Sequence, residues 1–179
     1  MWTLNLNPYK QTKYLKPNRI IKYIVLHCTA GPQNQSVASI QAYWRSLGWK
    51  KDGYHHIILL DGDIVDLVNP DEPSNGVKGF NANSINICYI GGVELVKKLD
   101  PKGRPINVPG KAVDNRTDEQ KASQKFLVRM YHNWFPDAKI LGHRDFSEDK
   151  NRDGVISPDE WMKTCPSFSV KEWLKTFEL

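Results

Sequence analysis

A chain of 179 residues, 40% hydrophobic and 25% charged, has enough apolar material for one ordinary core and too much for a disordered chain. Its net charge of +5 suits an anionic target, but no Lys/Arg run alternates with aromatics, which disfavours nucleic acid as the substrate. No apolar run approaches the roughly 20 residues of a membrane span, so no membrane insertion is expected, and three cysteines make no disulfide framework.

The opening "MWTLNLNPYKQTKYLKPNR" (1–19) is polar and Pro-containing and lacks the apolar stretch of a secretory signal. It reads as an N-terminal extension of a protein that stays in the cytoplasm until another route releases it. "RIIKYIVLHCT" (19–29) follows as a β-strand, with Tyr23, Val25 and His27 on one face and Ile24, Leu26 and Cys28 on the other. "SVASIQAYWRSLG" (36–48) reads as a helix, Ser36 its N-cap and Val37, Ile40, Trp44 and Leu47 its apolar stripe. "GYHHIILLDGDIVDLV" (53–68) is a hairpin turning at Asp61-Gly62. Alternation carried back through it puts Tyr54 and His56 on one face, His56 facing a cleft, and His55 on the core face.

"SINICYIGG" (84–92) is a second buried strand, with Asn86 inside it as a cleft-lining candidate. Cys28 and Cys88 lie in apolar runs and read as buried, inert thiols. The stretch 96–116, rich in Pro, Gly and charge, shows no periodicity and reads as a long loop. "TDEQ" is a capping box with Thr117 as N-cap, opening a helix whose buried stripe is Ala122, Phe126, Met130 and Trp134. "AKILGH" (138–143) is a final strand, and Ser169 with Glu172 opens a terminal helix. Strands interleaved with helices, plus one hairpin, predict a single α/β domain over 1–179: a mixed central β-sheet flanked by helices.

His27 and His143 each end a strand, and Cys165 lies in a polar loop. Alone, a strand-end histidine is more often a hydrogen-bonded core or surface residue. Together the three supply ligands of suitable softness for zinc and leave a fourth position open, the pattern of a catalytic site. Neither HExxH nor paired CxxC competes for the metal.

"DKNRDGVISPDE" (149–160), within an insertion spanning 146–161, places Asp149, Asn151, Asp153 and Glu160 at positions one, three, five and twelve of a calcium loop. Gly154 stands at the sixth, and Val155 offers its carbonyl at the seventh. No helix enters the loop and no second loop pairs with it, which disfavours a calcium sensor. A structural Ca2+ site and an ion-free, Asp/Asn/Gly-rich turn both remain readings of this stretch.

"IVLHCTAG", "GWKKDGYHHII", "VKGFNANSINICYIGG", "GHRD" and "KTCPSF" occur here in sequence order. With them the chain resembles, over roughly residues 20–177, the zinc-dependent phage lysozymes, which are N-acetylmuramoyl-L-alanine amidases sharing a fold with peptidoglycan recognition proteins. The resemblance implies a Zn2+ cofactor on His27, His143 and Cys165, with Tyr54 and Lys163 as catalytic residues. It implies peptidoglycan as substrate, cut between the lactyl group of N-acetylmuramic acid and L-alanine, by a monomeric endolysin or bacterial relative. Arg45, Trp44, the 96–116 stretch, His56 and Asn86 are candidates for contact with the wall. A non-catalytic peptidoglycan-binding module is the alternative, disfavoured because the zinc cysteine is kept.

Overall fold

A computed structural model of the chain describes residues 14–179, so the expectation for residues 1–13 lies outside the described residues. The five-stranded main sheet runs β3-β2-β4-β1-β7, from β1 (Tyr23–Cys28), β2 (His56–Ile58), β3 (Ile64–Asp66), β4 (Ser84–Tyr89) and β7 (Lys139–Gly142). β1 lies parallel to both β4 and β7, β2 parallel to β4, and β3 antiparallel to β2. The central strands β1 and β4 are nearly continuous apolar runs because helices cover both of their faces.

On one face, α1 (Val37–Ser46) packs Ile40 and Trp44 onto Ile57, Cys88 and Ile90. Ser36 starts it by accepting the Ser39 N–H, and Gly48, at φ +79°, follows its last turn. On the other face, α2 (Asp118–Trp134) sets Leu127, Val128 and Tyr131 against Ile24, Leu26, Ile85 and Ile87. Its capping box is complete: Thr117 Oγ1 accepts the Gln120 N–H and Gln120 Oε1 accepts the Thr117 N–H. Short α3 (Val170–Leu174) closes this layer.

The mixed sheet between helices agrees with the sequence reading, with two differences. The inward stripe of α2 is Gln120, Gln124, Leu127, Val128 and Tyr131; Phe126, Met130 and Trp134 pack at its flank, and Ala122 is exposed. Two glutamines take core positions because each has a partner there, Gln120 Nε2 donating to the Ile90 carbonyl and Gln124 Oε1 accepting from Arg116.

The second difference is the 96–116 stretch, which is not a loop but most of an antiparallel ribbon, β5 (Val93–Leu99) with β6 (Pro105–Ala112). The connecting turn is tied by Asp100, whose carboxylate accepts the Lys102 and Arg104 N–H groups. Beyond Val93 the ribbon is exposed or half-exposed on both faces, so no apolar/polar alternation marks it.

Candidate metal centre and active site

Parallel strands β1 and β7 deliver His27 and His143 to the same end of the sheet, where the crevice outside the carboxyl ends of strands lies. His27 is the fifth residue of β1, and His143 opens a short 3-10 turn directly after β7. Cys165 reaches them from the segment after the 149–160 loop. Gly142 makes that approach feasible: a Cβ there would stand 2.6 Å from Pro166 Cδ. Gly92, at φ +98°, does the same beside Cys28, where a Cβ would meet Sγ at 2.5 Å.

Three ligand atoms, one each from His27, His143 and Cys165, lie within 4.8 Å of one another, and among the described residues no other group of three His, Cys, Asp or Glu does so. His27 Nδ1 is 3.2 Å from His143 Nδ1 and 3.8 Å from Cys165 Sγ. With bonds of about 2.05 Å to nitrogen and about 2.3 Å to sulfur, a tetrahedral zinc holds two nitrogens about 3.3 Å apart and nitrogen from sulfur about 3.6 Å. The donor set therefore fits the ion in chemistry, and the two distances from His27 match its spacing.

The electrostatics agree. Burial and the neighbouring His143 hold the His27 imidazole well below the usual histidine value, and burial with Lys163 brings His143 down to about 4. Both rings are neutral at pH 7 and can offer lone pairs. Burial pushes the Cys165 thiol well above its ordinary value, so a thiolate there calls for a cation beside it. The Cys28 N–H, 3.2 Å from Cys165 Sγ, assists.

Tyr54 lies with its ring 4.9 Å from that of His27 and edge-on to Trp44 at 5.4 Å. Burial holds its phenol well above the ordinary value, so it keeps its proton. Lys163 is exposed, and its charge acts on both His27 and His143. The zinc and catalytic candidates thus converge.

The substrate-contact candidates do not. His56 is fully buried on the α2 face, its ring nitrogens 2.7 Å from Asp66 Oδ1 and 2.6 Å from the Tyr131 hydroxyl. Tyr54 packs on the opposite, α1 face. The inference that they share a face fails because β2 begins only at His56, and the period of two does not extend back to Tyr54. Asn86 is fully buried too, its Oδ1 2.9 Å from His27 Nε2. Trp44 belongs to the core, and Arg45 pairs with Asp52.

The 149–160 loop stands apart. Asp149 accepts the Asp153 and Gly154 N–H groups, and Glu160 those of Lys150, Asn151 and Ser157. Asn151 accepts from Asp153, which itself accepts from Val155. These bonds account for the shape of the loop without calcium. Sequence reasoning placed His55 on the core face, where it lies, but missed Ser74, its partner and that of Asn86. The signal available was one polar residue in the otherwise apolar "INICYIGG".

The family model described as N-acetylmuramoyl-L-alanine amidase matches residues 17–167. The chain belongs to this family. It is 30% identical to the endolysin of Enterobacteria phage K11 over 156 residues, 86% of this chain and 85% of that one. It is likewise 30% identical to the endolysin of Enterobacteria phage T3 over 168 residues, 92% of each. Among solved structures, an endolysin of the Thermus scotoductus bacteriophage Ph2119 superposes at a TM-score of 0.61, with 22% identity, covering 93% of this chain and 92% of that one. PGRP-SA of Apis mellifera gives 0.58 at 17% identity over 88% and 82%. The fold of this amidase is that of the phage endolysins and peptidoglycan recognition proteins.

Proposed function

We propose that the chain is a zinc-dependent N-acetylmuramoyl-L-alanine amidase that lyses cell wall, as an endolysin or a bacterial relative, cutting peptidoglycan between N-acetylmuramic acid and L-alanine. The observation that carries this reading is the convergence of one ligand atom each from His27, His143 and Cys165 within 4.8 Å of one another in an amidase-family chain. Zinc held there supplies a Lewis acid and lowers the pKa of water to about 7. The two neutral imidazoles and one thiolate leave the site with net positive charge.

The chain's own residues complete the chemistry. Lys163 brings a mobile positive charge to the carbonyl oxygen as negative charge develops there. Tyr54, which keeps its proton, serves as a hydrogen-bond donor beside His27 and orients the attacking water or the departing nitrogen. Calcium is not part of the proposal, since the 149–160 loop is held by its own hydrogen bonds.

Clearing of purified peptidoglycan, read by turbidity, tests the proposal. Wild type is expected to clear it and release new amino termini; chelator and Cys165→Ala are each expected to stop it. Undiminished clearing by Cys165→Ala overturns the zinc assignment. Release of reducing sugar ends instead identifies a glycosidase. Binding without any release supports the non-catalytic module.

A further inference from the structure

Behind His27 lies a run of fully buried polar groups that the amidase reaction does not by itself require. Asn86, Ser74 and His55 all have no exposed surface, although each belongs to a polar type that normally seeks water. Their contacts form one line. His27 Nε2 is 2.9 Å from Asn86 Oδ1, and Asn86 Nδ2 is 2.9 Å from Ser74 Oγ. Ser74 Oγ is 3.1 Å from His55 Nδ1, and His55 Nε2 is 2.9 Å from the Glu72 carbonyl oxygen.

The placement of the protons along this line starts from two groups that can only donate. The Asn86 backbone N–H, 2.9 Å from His55 Nδ1, makes that nitrogen an acceptor. Arg19 Nη2 lies 3.0 Å from His55 Nε2 but donates to the Ser84 carbonyl oxygen, so the neutral ring carries its proton on Nε2, directed at the Glu72 carbonyl. Ser74 gives its hydroxyl proton to the same Nδ1, which leaves its oxygen free to accept from Asn86 Nδ2. Asn86 Oδ1 then faces His27 and accepts, so His27 is protonated on Nε2 and bare on Nδ1. The flipped Asn86 amide fails this test. Its oxygen would take the Ser74 proton, which leaves buried Ser74 Oγ with no donor and breaks its contact with His55 Nδ1 at 3.1 Å.

A separate feature clamps the amide. Gly76 lies so close that a Cβ there would stand 2.2 Å from Asn86 Cγ, so backbone packs against the amide. The bare Nδ1 is the atom 3.2 Å from His143 Nδ1 and 3.8 Å from Cys165 Sγ.

We propose that the His55–Ser74–Asn86 chain is a positioning device that fixes the tautomer and ring orientation of His27, keeping its Nδ1 lone pair aimed into the metal centre. Asn86 acts through His27 and touches neither substrate nor ion. The metal part of the proposal rests on the zinc reading above; the tautomer part does not.

Both parts are tested on the full chain, in wild type, Ser74→Ala, Ser74→Thr and Asn86→Ala. Nitrogen-15 NMR of the zinc-free protein at pH 7.5 is expected to show His27 protonated on Nε2 in wild type and Ser74→Thr. In Ser74→Ala the signal is expected to shift toward a mixture of tautomers. Competition with a chromophoric chelator is expected to show zinc affinity about 10–100-fold weaker in Asn86→Ala, the usual effect of losing the partner of a ligating histidine. Ser74→Ala is expected to weaken it less and Ser74→Thr to restore it. Ser74→Ala is the milder change and keeps the test usable if Asn86→Ala does not fold. A wild-type His27 protonated on Nδ1 overturns the proposal, as does a Ser74→Ala protein with unchanged tautomer and zinc affinity. A wild type with the expected tautomer but no zinc binding upholds the chain and overturns the zinc reading instead.

Discussion

Consider lowering the pH of the zinc-free protein from 7.5 to 5. Burial brings His55 down to about 3, and burial with the Lys163 charge brings His143 down to about 4. In the unfolded chain both titrate near 6.5. Each folded value lies below its unfolded one, so the unfolded chain takes up protons that the folded protein refuses. The stability these groups contribute is thus present above pH 6.5 and is lost as pH falls below it. At pH 5 the unfolded form gains about 1.5 pH units at 1.36 kcal/mol each, or about 2 kcal/mol for each histidine. His143 is less enclosed than His55, which brings the pair to about 3–4 kcal/mol, and buried His27 shifts in the same direction. Against a total of about 5–15 kcal/mol, that is a large loss. Few carboxylates titrate above pH 5, so this window isolates the histidines.

The assay is urea unfolding at pH 7.5, 6.5, 5.5 and 5 with chelator present, which keeps loss of metal out of the comparison. The midpoint should fall steadily below pH 6.5. In His55→Gln the fall should be smaller by about 2 kcal/mol, whatever that variant's stability at pH 7.5. A midpoint that stays flat from pH 7.5 to 5 refutes the argument that these rings are held neutral by burial.

Lys163→Ala, at an exposed position, should leave stability within about 0.5 kcal/mol while slowing peptidoglycan clearing by about 10²–10³-fold; full activity would remove Lys163 from the chemistry. Tyr131→Phe removes the hydroxyl 2.6 Å from buried His56 Nε2 and should cost about 1–3 kcal/mol in urea unfolding. Activity per folded molecule should be unchanged, because this contact lies on the face away from the metal centre. Asp149→Ala deprives the Gly154 N–H of its acceptor and the Asp153 N–H of one of its two and should lower the melting temperature equally with and without Ca2+. A destabilisation seen only in calcium would restore the loop as an ion site.

The sheet was legible where burial is simple. β1 and β4 show as apolar runs because both faces are covered, and the Asp61-Gly62 turn marks the one hairpin of the main sheet. His27 and His143 were legible as strand ends, and Cys165 as a cysteine outside the apolar runs. The β5–β6 ribbon was not, because a ribbon with no buried face leaves no period to read. Gln120, Gln124 and Asn86 misled the pattern for a shared reason. Each is polar and buried against a partner outside its own element, 30 and 59 positions away for Gln120 and Asn86 and eight for Gln124, and such pairing is a property of the fold rather than of the periodic pattern. His55 lies in the core as expected, whereas His56 is buried instead of facing a cleft, because the strand starts only at His56, two residues after the Tyr54 from which alternation was counted.

His27 and Cys165 are 138 positions apart in the chain, and His143 arrives only with the last strand of the sheet. During synthesis, then, almost the whole polypeptide must emerge before the three donors can meet. Any chain broken off before Cys165 can contain every strand of the sheet and still hold an incomplete metal centre. On the zinc reading proposed above, a fragment that stops short of Cys165 is inactive.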